Sequence, residues 1–247
     1  MIYSVDPGNT TATIMTAHVL RHERHHGEWH TLRLHAPTCA AKVNPGHYAQ
    51  LEYGDIRYLA SVIRTDIHAG WLELLHQDDT PQPVLKVGDP VQLMVPLGKA
   101  FAPDVNTSRL LLIGEGPGIA AVTFLAERLS QQRQEHRLMV MLGSSITFPF
   151  QPRPSRFLVP GMPAGVIAAM PLLEEWNIPS RLGSTQGLAG CFEDGASGLA
   201  HVWINALPEA QREDIAIFAS GPRQMLASVE ALAERYRLPY QAIEAQS

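Results

Sequence analysis

Three glycines, Gly114, Gly116 and Gly118, stand in LLIGEGPGIAAV (residues 111–122), where an apolar run gives way to a helical pattern. That order suits a phosphate. Glycines let a backbone approach a pyrophosphate closely, and the first turn of a helix points N–H donors at it. Pro117 takes the favoured first helical position, and Ile119 opens the apolar face. A tight strand-to-helix turn without a ligand would use the same residues. Glu115 sits inside the loop. Facing a pyrophosphate, its carboxylate opposes binding; facing a ribose, it accepts hydroxyl hydrogen bonds. The glycines fall short of the full dinucleotide fingerprint, and the next apolar run, LMVMLGSS, ends in serines rather than an acid.

Other residues carry weaker chemical signals. Nine of the 11 histidines precede residue 100. RHERHHGEWH places His22, His25, His26 and His30 around a turn, and histidines on neighbouring strands bind zinc or copper. No fixed chelating spacing is present, so a solvated turn is the plainer reading. Cys39 and Cys191 make neither a disulfide framework nor a four-thiolate cluster, and read as buried, inert thiols. GCFEDGASG (190–198) is either an anion-binding turn or, because Glu193 and Asp194 lie in it, a structural loop. Arg181 and Ser184 would either contact a cofactor ribose or face solvent. No nucleophile elbow, zinc-protease motif or Walker loop occurs.

Two kinds of element must position these residues. Up to residue 100 the chain reads as six short strands, among them IRYLASVIRT and PVQLMVPL, separated by the turns HHGE, NPGH, HAG and KVGDP. That is the pattern of a small antiparallel barrel of Greek-key type. From residue 101 the period changes. RLLLIG, RLMVMLGS, SRLGST and DIAIFASG are compact buried strands, and PGIAAVTFLAERLSQQ and PRQMLASVEALAERYRL are helices. The first helix carries Ile119, Val122, Leu125 and Leu129 on one face; the second carries Met225, Val229, Leu232 and Tyr236. Alternating strands and helices imply a parallel-sheet α/β nucleotide-binding domain over 101–247 after a barrel domain over 1–100. Residues 146–165 are proline-dense and read as an extended surface loop.

The chain has 247 residues, 45% of them hydrophobic, with a formal net charge of −5. It can bury a core, and the acidic balance argues against a nucleic-acid surface. No apolar run reaches the roughly 18 residues that span a bilayer. The N-terminus lacks the order of a signal peptide, so a cytoplasmic setting is expected.

Six barrel strands followed by VGDPVQLMVPLGKAF, LLIGEGPGIAAVTFLAERL and IFASGPRQMLASVEALAE resemble the ferredoxin–NADP reductase superfamily, and within it the electron-transfer subunit of dihydroorotate dehydrogenase. The resemblance covers nearly the whole chain. It implies FAD on the barrel, NAD or NADP on the second domain, and electron delivery to a catalytic dehydrogenase subunit or another acceptor protein. It places Tyr58, Leu59, Ala60 and Ser61 in the flavin segment, with Ser61 near the flavin ring and Thr80 at the flavin phosphate. Gly114, Gly116, Pro117, Gly118 and Ile119 would hold the nicotinamide cofactor's pyrophosphate, while Ser220, Gly221 and Pro222 would line the nicotinamide.

Three departures cut against it. Where the family has a flavin-binding arginine this chain has Tyr58, and Arg57, one residue earlier, faces the other side of a strand. Where the family has a glycine-rich phosphate loop, Asp78 and Asp79 precede Thr80. The family's cysteine-rich segment is missing after Cys191, so no iron–sulfur cluster is expected, and Ser220 replaces a family cysteine. The competing expectation is a family member that has lost stable flavin binding and serves as a binding or regulatory subunit.

Overall fold

The computed structural model describes residues 12–77, 85–103, 107–132 and 136–246. Six strands close into a barrel: β1 (Thr13–Arg24), β2 (Trp29–His35), β3 (Tyr48–Tyr53), β4 (Ile56–Asp66), β5 (Trp71–Gln77) and β6 (Pro90–Leu97), in the order β1-β2-β5-β4-β3-β6. Every pairing is antiparallel. A short helix, α1 (Pro37–Ala40), follows β2. The glycines of the four expected turns, Gly27, Gly46, Gly70 and Gly88, all take the left-handed backbone that side chains resist. Alternate residues such as Ala17, Leu32, Leu51, Val62 and Leu93 fill the barrel and are buried.

The second half holds β7 (Arg109–Glu115), α2 (Gly118–Ser130), β8 (Arg137–Ser144), the two-residue strands β9 (Arg153–Pro154) and β10 (Ala168–Ala169), α3 (Pro171–Glu175), β11 (Ser180–Ser184), α4 (Ala196–Ala206), α5 (Glu209–Arg212), β12 (Ile215–Gly221), α6 (Arg223–Tyr236) and β13 (Tyr240–Glu244). The main sheet runs β11-β8-β7-β12-β13, all parallel. Strands buried on both faces need continuous apolar runs, and LLLI and IAIF supply them. Helix α2 covers one face with Ile119, Val122, Leu125 and Leu129, as expected. Helices α4 and α6 cover the other, with Met225, Val229 and Leu232 buried and Tyr236 partly so. Residues 146–165 hold no helix and only the two-residue β9, but they turn at 160–161 and 164–165, and Phe148 is buried in the core rather than lying on the surface as expected.

Helix α2 has a second buried face that was not anticipated. Phe124 enters the barrel core, and Ala120 packs with Trp29, Ile63 and Leu75. A helix apolar nearly all round lies between two layers. Glu127, on the same barrel-facing side, meets Arg64 of β4 at 2.9 Å. The two halves are joined further by Trp29, whose indole N–H donates to the Thr147 carbonyl at 2.9 Å.

Candidate functional site at the sheet edge and barrel end

The strand order reverses between β7 and β12, and in open α/β sheets ligands bind at the carboxyl ends beside that switch. The 114–119 and 220–222 candidates converge there, and their glycines have different reasons. A Cβ on Gly118 would overlap the Ser220 carbonyl, and one on Gly114 would press on Val122 and come within 3.1 Å of the Gly118 carbonyl. Both are glycine because α2 abuts the ends of β7 and β12. Gly116 differs. It has φ +56°, and no heavy atom lies within 4 Å of where a Cβ would stand.

The loop offers few free donors. The Gly116 N–H donates to the Gly143 carbonyl at 3.2 Å. Pro117 has no N–H, and the Ile119 N–H turns back to Gly116 at 3.1 Å. Among the described residues the Gly118 N–H, at the opening of α2, has no backbone acceptor. Ser220 is buried, and its neighbour Gly221 packs on Met225 and the Glu115 backbone. Pro222 opens α6 and lines the cleft described next.

Glu115 points away from the glycine turn, across β8, to the start of α4. Its carboxylate accepts from the Ala196 N–H, and a Cβ on Gly143 or Gly195 would lie within 2.9 Å of it. A carboxylate at a helix N-terminus complements the helix dipole. Burial, with Asp194 nearby, nevertheless holds the Glu115 carboxyl above its ordinary range. Glu115 and Asp194 line a cleft of about 630 Å³ with Ser145, Thr185, Pro222 and Arg235. Any phosphate entering it meets two acidic groups.

Arg181 and Ser184 are not available to a ligand. Arg181 is buried and donates at 2.6 Å to both the Ser180 and Phe157 carbonyls, anchoring the 146–165 loop, while its Nε has no acceptor. The Ser184 hydroxyl is buried and accepts from the Gln186 N–H at 3.2 Å. GCFEDGASG is the structural turn that starts α4, with Asp194 accepting from the Gly195 N–H at 2.7 Å. Both cysteine thiols are raised by burial, in keeping with inert side chains.

On the barrel, β4 divides its candidates between two faces. Tyr58 and Ala60 point inward with Val62. Leu59 and Ser61 share the outward parity of Ile63, which packs against α2, and Ser61 is 7% exposed. Arg57, on the opposite parity to Tyr58, pairs with Glu52 at 2.7 Å on the exposed surface. Thr80, Asp78 and Asp79 lie outside the described residues.

Tyr58 does not stand alone. Its ring lies 4.5 Å from His76, which stacks at 4.9 Å on His30. His22 Nε2 is 3.0 Å from His30 Nδ1. Burial, then the neighbouring His30, lowers the His22 pKa. Of the hairpin histidines noted in the sequence, His22 and His30 join this group. His25 is turned to Thr31 at 3.0 Å. His76 was missed because it is 46 residues from His30 in sequence; the register His30↔His76 brings them together. The period-2 pattern of WLELLHQ placed His76 on the inward face and was the available signal.

No protein-family model and no curated protein matches the sequence. Solved structures do. The ferredoxin reductase in carbazole 1,9a-dioxygenase matches 95% of this chain over 70% of its own at 15% identity, with a TM-score of 0.68. A ferredoxin NADP+ reductase from Neisseria gonorrhoeae with bound FAD and NADP matches 94% of the chain over 99% of its own at 13% identity, TM-score 0.63. The chain has the ferredoxin–NADP reductase fold. That fold also covers a siderophore utilization protein from T. fusca, which matches 95% of this chain over 92% of its own at 13% identity, TM-score 0.58. Within the reductase fold, β7–α2 and the β12–α6 turn are the elements at the sheet's switch point, and the outward face of β4 is the barrel surface turned toward α2.

Proposed function

We propose that the protein is a flavin oxidoreductase that passes electrons from NADH or NADPH, through FAD, to a partner protein. The observation that carries this reading is Gly116: an open, left-handed glycine at the switch point, two residues before Gly118, which abuts Ser220, within a reductase fold. Gly114 and Gly118 set the loop's shape, and Gly116 together with the Gly118 N–H receives the dinucleotide. Ser220 and Pro222 position the nicotinamide, and Ser61 faces the flavin ring from β4. FAD, when bound, supplies exchange between two-electron and one-electron chemistry; the chain's residues orient the reactants and exclude water. The segments VGDPVQLMVPLGKAF and IFASGPRQML support a partner of the dihydroorotate dehydrogenase catalytic type as acceptor.

A second reading has its own support. Tyr58 is committed to the barrel interior, Arg57 to Glu52, and Ser61 is almost fully covered. These favour a member that keeps the fold with flavin binding weakened or lost, acting as a binding subunit. FAD titration of the purified protein separates the two: saturable binding, with a flavin spectrum bleached by NADH or NADPH, supports the reductase, and no binding supports the subunit.

A further inference from the structure

The barrel interior ends in an unusual group. His22 near the end of β1, His30 at the start of β2 and His76 near the end of β5 stand on three adjacent strands. All three point inward. His30 alternates with Leu32 and Leu34, His76 with Leu72 and Leu74, and His22 pairs across the ladder with Leu32. His30 and His76 are 4% exposed. One nitrogen from each of the three lies within 4.8 Å of the others. We propose that His22, His30 and His76 form a three-imidazole site for a divalent cation of the zinc class, with the fourth position left to water.

The donor set selects the ligand. Its hydrogen bonds fix the protonation of two rings. The Leu85 N–H donates to His22 Nδ1 at 3.1 Å, so that nitrogen carries a lone pair and the proton sits on Nε2. His22 Nε2 then donates to His30 Nδ1, which is a lone pair too. Both rings are neutral bases. A phosphate would need protons added to buried imidazoles, whereas a cation uses the His30 Nδ1 lone pair and needs the His22 ring only to exchange one neutral tautomer for the other. Among the described residues the donors are all nitrogen, a set that suits zinc, copper or nickel better than calcium or magnesium. Two imidazole nitrogens on one tetrahedral zinc stand about 3.3 Å apart at ordinary bond lengths. His22 and His30 already present theirs at 3.0 Å. Ion binding moves the His22 proton from Nε2 to Nδ1, which gives up both the Leu85 N–H contact and the His22–His30 hydrogen bond, a loss of two hydrogen bonds against three metal–nitrogen bonds. The β2–β5 register fixes the backbones of His30 and His76, and their stacked rings have to rotate about their side-chain bonds to converge on one ion.

The inference does not rest on flavin or dinucleotide binding. The test is titration of the full, tag-free, chelator-stripped chain with cobalt(II), followed by zinc displacement. The expected result is saturable ligand-field absorbance at one ion per chain, abolished by zinc. His22→Gln and His30→Gln should weaken binding by about 100-fold or more, because even loss of an outer-shell partner costs 10- to 100-fold. His25→Gln and His26→Gln, on the same hairpin but outside the group, should leave it unchanged. Should His30→Gln fail to fold, the half-buried His22→Gln decides, with zinc raising the Tm of the parent and not of the variant. Absence of saturable absorbance in the parent, survival of binding in His22→Gln, or its loss in His25→Gln or His26→Gln would overturn the proposal.

Discussion

Gly116 and Gly118 are two residues apart and are glycine for different reasons. Gly118→Ala drives a methyl into the Ser220 carbonyl, a backbone atom that cannot step aside, so a Tm drop large enough to impair folding is expected. Gly116→Ala has open space and suffers only its left-handed backbone, about 1–2 kcal/mol. It should fold and bind NADH more weakly in isothermal titration. Unchanged affinity in a folded Gly116→Ala protein would move the dinucleotide elsewhere. Glu115 makes a second contrast. Its carboxyl is held above the ordinary range by burial, so the folded state favours the protonated form. Its contribution is present below the unfolded pKa and is lost as pH rises through the folded one. Relative to Glu115→Gln, which keeps an acceptor for the Ala196 N–H, the parent should therefore lose stability as pH climbs from the carboxylate range toward neutral. The same variant removes a negative charge from the cleft and should tighten NADPH binding. A flat stability difference between pH 4 and 7 would place the Glu115 carboxylate in solvent.

At the scale of elements, Arg181 acts as a clamp between β11 and the 146–165 loop. Arg181→Met leaves the Phe157 and Ser180 carbonyls without their donor, at a cost of about 1–3 kcal/mol each where no water replaces it. Faster proteolysis within the loop is expected, with dinucleotide affinity unaltered; altered affinity at unchanged stability would return Arg181 to the ligand site. Neither sequence reading of Arg181, a cofactor contact or a solvent-facing side chain, anticipated its burial, because burial is not written in residue type. The strands themselves were legible. Their runs are strongly periodic or uniformly apolar, and the turns carry glycines that the backbone requires. The short β13 was not anticipated, since YQAIE has neither strong alternation nor a flanking turn.

At the scale of the molecule, α2 holds the barrel to the sheet. Its sheet-facing side was visible as Ile119, Val122, Leu125 and Leu129; its barrel-facing side, Ala120, Phe124 and Glu127, was masked by small and polar residues. Glu127 is 8% exposed and depends on Arg64. Arg64→Met strands that carboxylate and should cost about 3–5 kcal/mol, with much of the loss recovered in Arg64→Met/Glu127→Met. Separate unfolding of two units in the parent would show that this contact does not couple them. The histidine group and the contact of Tyr58 with it were hidden for a related reason. Each depends on which strands become neighbours when the barrel closes, and on which face a residue then presents.

The central claim is that this reductase fold still works with a flavin. The visible absorbance of the purified chain, followed by titration with FAD and then NADH and NADPH, tests it most directly. Saturable FAD binding is expected, with a flavin spectrum that one of the two nicotinamides bleaches. A colourless protein that neither binds FAD on titration nor consumes either nicotinamide in its presence would contradict it.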